Sequence, residues 1–346
     1  MKTSKDKGSV PALLLTFVGI LFIGIIIVAG ILIFNEKTLV VPDEFPTISA
    51  AVTDAKPGDI ILVKTKEDGT PYEENVVIDE DNIKLIGIGK EKPVLEGDFI
   101  LSTGRGIDLT DRSGVLVQNF IIQKFNEEGF FLSNSDNVII KENIVKENGG
   151  GVLVGGGIVL GNSNKNMMKG NTVQDNENDG IFLNGSGSNM MKGNIVNGNG
   201  NGDGEHGIEL ISSNDNIMKG NIVNDNNSNG IDLSNSESNM MKGNTVNGNF
   251  LNGINLSNSA SNMMKGNTVN NSEADGIQLF QSSRNIIKGN TVNDNGVDGI
   301  SLNAASNEND VFFNRAFGNG LDIRDLDANN FKGNKCDTSN QPNICN

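Results

Sequence analysis

NMMKGNTVQDNENDGIFLNGSGS, residues 166–188, holds three short apolar stretches separated by turn residues. They are Met167-Met168, Thr172-Val173, and Ile181 with Leu183. Each is too short for a helix, and Gly and Asn fill the gaps between them. A strand buried on one face alternates its side chains. Ile181, Leu183 and Val173 are therefore expected to point inward, and Phe182 and Thr172 outward. The closing phrase, glycine followed by an apolar–x–apolar triplet, recurs at Gly106, Gly129, Gly157, Gly180, Gly207, Gly230, Gly253, Gly276, Gly299 and Gly320. Six of those nine intervals are 23 residues. A fixed period of that length means one small unit stacked many times. Three strands per unit make one coil of a parallel β-helix, and about a dozen coils at roughly 4.8 Å each give a rod of about 55–60 Å. One coil buries nothing; the stack is the folding unit.

Stacking turns repeated residues into columns. One is expected to contain Asn119, Asn143, Asn171, Asn194, Asn221, Asn244, Asn267, Asn290, Asn314 and Asn334. A second, five residues on, contains Asn148, Asn176, Asn199, Asn226, Asn249, Asn295 and Asn319. Stacked amides hydrogen-bond along such a file, so both are read as structural.

The pattern N-x-hydrophobic, G-I-x-L, S-x-x-N resembles the right-handed parallel β-helix superfamily, which includes pectate lyases, polygalacturonases and NosD-like accessory proteins. Phe45–Val63 (FPTISAAVTDAKPGDIILV), Pro71–Ile78 and Ile83–Gly89 resemble the N-terminal cap of pectin-esterase-like members. The resemblance covers about residues 38–335. It implies a right-handed, all-β solenoid with a short capping helix, for which Thr47 is a suitable N-cap and Ile48, Ala51, Val52 and Ala55 form an apolar stripe. It does not choose an activity, because this fold hosts lyases, hydrolases, esterases, epimerases and non-enzymes.

The ends differ from the repeats. Residues 1–10 are a basic tail, and residues 11–34 are an uncharged, mostly apolar run. At 1.5 Å per residue that run spans roughly 36 Å, enough to cross a bilayer as an uncleaved anchor. Lys2, Lys5 and Lys7 place the N-terminus inside, so the β-helix of residues 35–335 is expected outside the cytoplasmic membrane. A cleaved signal is the alternative. The chain carries −16 and its first 34 residues +2 (three Lys, one Asp), leaving −18 for the rest. Such acidity argues against a nucleic-acid partner. Residues 336–346 carry the two cysteines, Cys336 and Cys345. In an oxidising compartment they are expected to close a loop over the last coil, worth about 3 kcal/mol.

Two surface constellations stand out. In the MMK strands, Met168, Met191, Met218, Met241 and Met264 are expected inside. Met167, Met190, Met240 and Met263 then face out, beside Lys169, Lys192, Lys242 and Lys265, with Lys219 and Lys288 continuing the basic file. Three readings remain: repeat drift with lysines deterring sheet association, a docking strip for a partner or anionic glycan, and Cu(I) held by thioethers. The second constellation is the 27-residue coil NGNGNGDGEHGIEL, which adds Asp203, Glu205 and the one histidine, His206. Asp179 holds the position of His206 one coil earlier. DNENDG and EHG are loosely similar to the polygalacturonase motifs, and Asn229 and Asn252 stand where further motif residues are absent. A paired-carboxylate hydrolase needs two acids, one with a raised pKa. Asp179 with Asp203 or Glu205 would supply them.

A β-eliminating lyase needs a basic residue and calcium carboxylates. Asp108, Glu209, Asp232 and Asp322 are placed at the outward x of the GIxL phrase, with Glu209 and Asp232 as neighbours. Acidic turns such as Asp225, Asp294 and Asp298 offer undirected calcium ligands. No cofactor follows from the sequence. The reading taken is a membrane-anchored, extracytoplasmic β-helix that binds a cell-envelope polysaccharide or protein partner without catalysis. Its rivals are a polysaccharide hydrolase or lyase using Asp179, Asp203, Glu205 and His206, and a NosD-like metal accessory protein.

Overall fold

The computed structural model describes residues 36–97, 104–150, 155–201 and 204–345. The basic tail, the apolar span of residues 11–34 and Asp203 lie outside them. Among the described residues no helix is long and apolar enough to cross a membrane. The unit running from Lys37 to Asn346 is a right-handed parallel β-solenoid of about a dozen coils.

Its described strands form three parallel sheets. The first has thirteen strands, from Thr38–Val41 through Met167–Lys169 to Asn330–Lys332. The second has ten, from Val94–Glu96 through Thr172–Gln174 to Arg315–Phe317. The third has eleven, from Val76–Val77 through Ile181–Asn184 to Leu321–Asp325. The strands pair in strict register: Met168 lies against Met191, Val173 against Val196, and Ile181 against Ile208. Those inward files are fully buried. Each buried Val, Ile, Leu or Met side chain contributes about 1.5–3 kcal/mol. The glycine before each third-sheet strand is required by close approach. A Cβ on Gly230 would sit 2.6 Å from Val246 Cγ1 and 2.7 Å from Gly253 O.

The corners are held by polar files inside the coil. From Asn171 to Asn334, each side-chain oxygen accepts both the backbone N–H and the side-chain N–H of the asparagine one coil earlier, as at Asn221–Asn244 (2.9 and 3.0 Å). The second asparagine file does the same, interrupted where Ser272 replaces the amide. Two more files complete the set: Asn166 to Asn329, and a serine file from Ser135 to Ser306. The backbone turns away from the ladder at these corners, so its N–H groups need side-chain acceptors; removing one costs about 1–3 kcal/mol.

Two expected column members move. Asn119 does not join the first file. Its N–H donates to Lys141 O as Glu142 does to Lys169 O one coil later, and the Phe120 N–H donates to Asn143 Oδ1 in its place. At the last coil the strands keep the 23-residue step, Ile323 against Ile300 and Arg324 against Ser301, but the glycine of the phrase stands two residues early, 21 after Gly299. Gly320 therefore leaves the glycine file. Asp322 is buried rather than at the outward x, and its carboxylate accepts the Asp337 and Thr338 N–H groups of the terminal segment.

Both ends are closed. The helix Ile48–Asp54 is capped by Thr47, whose hydroxyl accepts the Ala50 N–H (3.1 Å), and it buries Ile48, Ala51 and Val52 over the first coil. The Glu74 carboxylate accepts the Ile48 and Ser49 N–H groups (2.8 Å each) at its positive end. At the other end a disulfide joins Cys336 and Cys345, and the loop seats Ile344 on the final coil. Both caps cover strand edges that would otherwise template further pairing.

Candidate functional site

The outer face of the third sheet carries two adjacent columns: the residue before each repeat glycine and the outward x two residues after it. Three polar clusters lie along it. At the N-terminal end Arg105 binds Asp108 (2.8 Å) and Glu128 (2.9 Å) and stacks on Phe131 at 3.4 Å. At the C-terminal end Arg324 binds Asp298, which also accepts from Ser301 (3.2 Å), and the Asp298 N–H donates to Asp275 (2.8 Å). In each, arginine neutralises buried acid.

The central cluster has no such partner. Asp179, His206, Glu209 and Asp232 meet there, and among the described residues no Lys or Arg forms an ion pair with any of them. Asp179 accepts the His206 backbone N–H (2.5 Å) and shares a hydrogen bond with the Glu209 carboxyl. Burial pushes Glu209 up to about 9, with the negative charges of Asp179 and Asp232 adding to it. Burial also raises Asp179, against the pull of the His206 N–H. The pair thus shares one proton. Asp232 is buried and accepts from Asn229 (2.8 Å), Asn255 (2.7 Å) and Ser234 (3.2 Å), which fixes it as an acceptor.

His206 is buried, and its Nδ1 accepts the Asn229 backbone N–H (3.2 Å). The neutral ring then carries its proton on Nε2, which stands 3.9 Å from Glu209. That geometry bears on metal binding. Ligand atoms of His206, Glu209 and Asp232 lie within 4.8 Å of one another. A metal at Nε2 needs the proton on Nδ1, where a backbone N–H already points. The trio as placed is set for proton donation and acceptance.

Beyond Asp232 the face continues as amides. Asn229 Oδ1 accepts both N–H groups of Asn252 (2.9 and 3.0 Å), and Gln278 donates to Asp275 (2.9 Å). On the other side Phe182, partly exposed, pairs in register with Glu209. The site is a strip of acids and amides with an aromatic face at one end.

The sequence singled out Asp179 and His206, and the structure brings them together. Asp203 lies outside the described residues. Glu205 is close enough to raise Asp179, and its Oε2 is buried with no hydrogen-bond partner among the described residues. The carboxyl that pairs with Asp179 is Glu209, which the sequence reading placed at the outward x without giving it a role at this site. The signal was available: Glu209 and Asp232 are the acids on consecutive coils in the column beside Asp179.

The methionines and lysines lie on the first sheet. Met168, Met191, Met218, Met241 and Met264 are fully buried. Met167, Met190, Met240 and Met263 face outward, half-buried between neighbours, with Ile217 interrupting the file. Lys169, Lys192, Lys242 and Lys265 are exposed beside them. A row of ammonium groups along the thioethers repels a cation, which opposes the copper reading.

The family model described as "Right handed beta helix region" matches residues 71–157, 105–263 and 201–336. Those overlapping stretches cover well over half of the chain, so the chain belongs to that family. Among solved structures it is similar to the A-module of mannuronan C-5 epimerase AlgE6 from Azotobacter vinelandii (14% identity, TM-score 0.58, covering 82% of this chain and 91% of that one). It is also similar to the Dettilon tailspike protein gp208 (15%, 0.68, 86% and 67%). A third is the enzymatically active domain of tailspike protein 2 of bacteriophage CBA120 (14%, 0.60, 82% and 48%). At these identities the likeness is one of fold. No curated protein matches the chain.

Proposed function

We propose that this member of the right-handed β-helix family acts on a polysaccharide laid along its third sheet, with Asp179, His206, Glu209 and Asp232 as the acid–base centre. One observation carries the reading: a proton-sharing carboxyl pair sits in the middle of an open sheet face without the arginine that neutralises the clusters on either side. Uncompensated burial of acids opposes folding, and such groups concentrate where chemistry is done. Glu209 holds a proton at neutral pH and is the general acid toward a glycosidic oxygen. Asp232, held as an acceptor by two amides, is the opposing carboxylate. One oxygen of each lies within 4.8 Å of the other, nearer the roughly 5–5.5 Å of retaining pairs than the roughly 6.5–9.5 Å of inverting ones. With no cation beside it the centre disfavours uronates, so the substrate class is a neutral glycan. Phe182 and the Asn229, Asn252 and Asn255 amides offer a ring platform and hydroxyl partners. Epimerase and tailspike relatives in fold make a carbohydrate role plausible. In this reading the apolar span of residues 11–34 tethers the solenoid outside the cytoplasmic membrane.

The test is release of reducing ends from xylan, mannan and β-glucan by the full-length protein. Glu209→Gln and Asp232→Asn are expected to lower the rate about 100-fold or more. No release from any neutral glycan, or full activity in Glu209→Gln, would overturn the catalytic reading. The amide run favours a second reading, glycan binding without cleavage, and the same panel separates it: retention of a glycan with no new ends.

A further inference from the structure

The outer face of the first sheet carries a charge pattern that the third-sheet site does not use. Lys169, Lys192, Lys219, Lys242, Lys265 and Lys288 pair in register on successive strands. They form a file of six, about 4.8 Å apart and about 24 Å long. All six are exposed, and among the described residues none forms an ion pair. The preceding Lys141 does, with Glu142 (3.3 Å), so the unpaired file starts where the acids stop. In a unit this acidic it is an isolated positive line.

The residue after each of these lysines is glycine, from Gly170 to Gly289. Each has φ near +63°. Left-handed backbone does not by itself demand glycine here, because other corners of the same coils use Asp175, Ser188, Asp225, Ser238 and Asn271 at the same φ. What glycine adds is room: a Cβ at Gly193, Gly220, Gly243, Gly266 or Gly289 would meet nothing within 4 Å. The corner beside the lysines is a bare shelf, bounded on the second sheet by the outward file Thr172, Ile195, Ile222, Thr245, Thr268 and Thr291. On the other side of the lysines runs the half-buried file of Met167, Met190, Ile217, Met240, Met263 and Ile286. A half-buried apolar file, a line of cations at fixed spacing and a corner of bare glycines suit one kind of occupant.

We propose that this corner is a docking track for a linear anionic polysaccharide, its charged groups read by the lysine file and its rings lying on the glycine shelf. Charge complementarity and the one-cation-per-coil period carry the assignment. The track lies on a different sheet from the acid–base centre, so each reading stands or falls separately.

The experiment measures binding of the full-length protein, in nonionic detergent, to dextran sulfate and to uncharged dextran. Dextran sulfate is expected to bind and dextran not, with affinity falling about tenfold or more as salt rises from about 0.05 to about 0.3 M. Lys192→Gln/Lys219→Gln/Lys242→Gln/Lys265→Gln is expected to lose about tenfold or more at low salt, while Glu209→Gln binds as wild type. Equal binding of dextran and dextran sulfate, or an unweakened quadruple variant, would sink the proposal. So would capture of phosphatidylglycerol vesicles through these lysines with no binding of dextran sulfate, which would assign the face to a bilayer.

Discussion

The first and third sheets are built from the same coils yet finish their outer faces in opposite ways. On the third sheet, acids and amides pack against one another, accept backbone N–H groups from neighbouring coils, and are largely buried. On the first sheet, lysines stand apart in solvent beside bare glycine, and none of the six forms an ion pair among the described residues. The third-sheet face is woven into the fold, whereas the first-sheet face is attached to it. Disturbing one should therefore unsettle the solenoid, and disturbing the other should not.

The two glycine files give the sharpest contrast. Gly230→Ala forces a methyl into Val246, Asn249 and Gly253, all under 3 Å away, and should destabilise by about 3 kcal/mol or more. Gly243→Ala meets only the left-handed backbone penalty of about 1–2 kcal/mol, and Gly243→Asn less. Urea midpoints of the three proteins read the difference. If Gly243→Ala costs as much as Gly230→Ala, the shelf is structural and the contrast fails.

Asp298→Ala comes next. It strips a buried carboxylate from Arg324 and Ser301 and should cost about 2 kcal/mol, held to that because Arg324 is partly solvated. Arg324→Gln leaves the same acid buried and should fall near it. A loss below about 0.5 kcal/mol for both would mean that the face is less integrated than its hydrogen bonds imply.

The pH profile isolates the central cluster. Glu209 titrates at about 9 in the fold and near 4.3 in an unfolded chain. A raised carboxyl favours the protonated state, so its contribution is complete below about 4.3 and is lost as pH climbs toward 9. The amide of Glu209→Gln keeps that neutral form at every pH. The stability of the variant relative to wild type should therefore rise by about 1–3 kcal/mol from pH 5 to pH 8. Parallel curves would place the shared proton elsewhere.

The sequence made the inner half of this legible because periodicity reports what must repeat. Ile181, Val173 and Met168 recur with the coil, and so do the asparagine corners. Where a motif residue stood off the 23-residue step, the strands kept the step and the residue left its file. Phe120, not Asn119, stands opposite Asn143, because Asn119 takes the turn position that Glu142 takes one coil later, and Asp322, not Gly320, stands opposite Gly299. The site was half legible. Asp179 and His206 share a column one coil apart, whereas Glu209 meets Asp179 from the neighbouring column, across both a coil step and a strand. A period gives columns; which residues of adjacent columns touch depends on how the bend before the glycine turns its side chain.

The smallest effect tests what the lysine file is for. Like charges on directly paired strands repel, so each lysine opposes folding slightly. Lys242→Gln should stabilise the solenoid by a few tenths of a kcal/mol at low salt, and the gain should fade as screening shortens the reach of Lys219 and Lys265. That sign is the informative part. A residue type repeated along one line against a mild cost to stability is maintained by something outside the fold, whereas a loss of stability on removing it would make the file part of the fold after all.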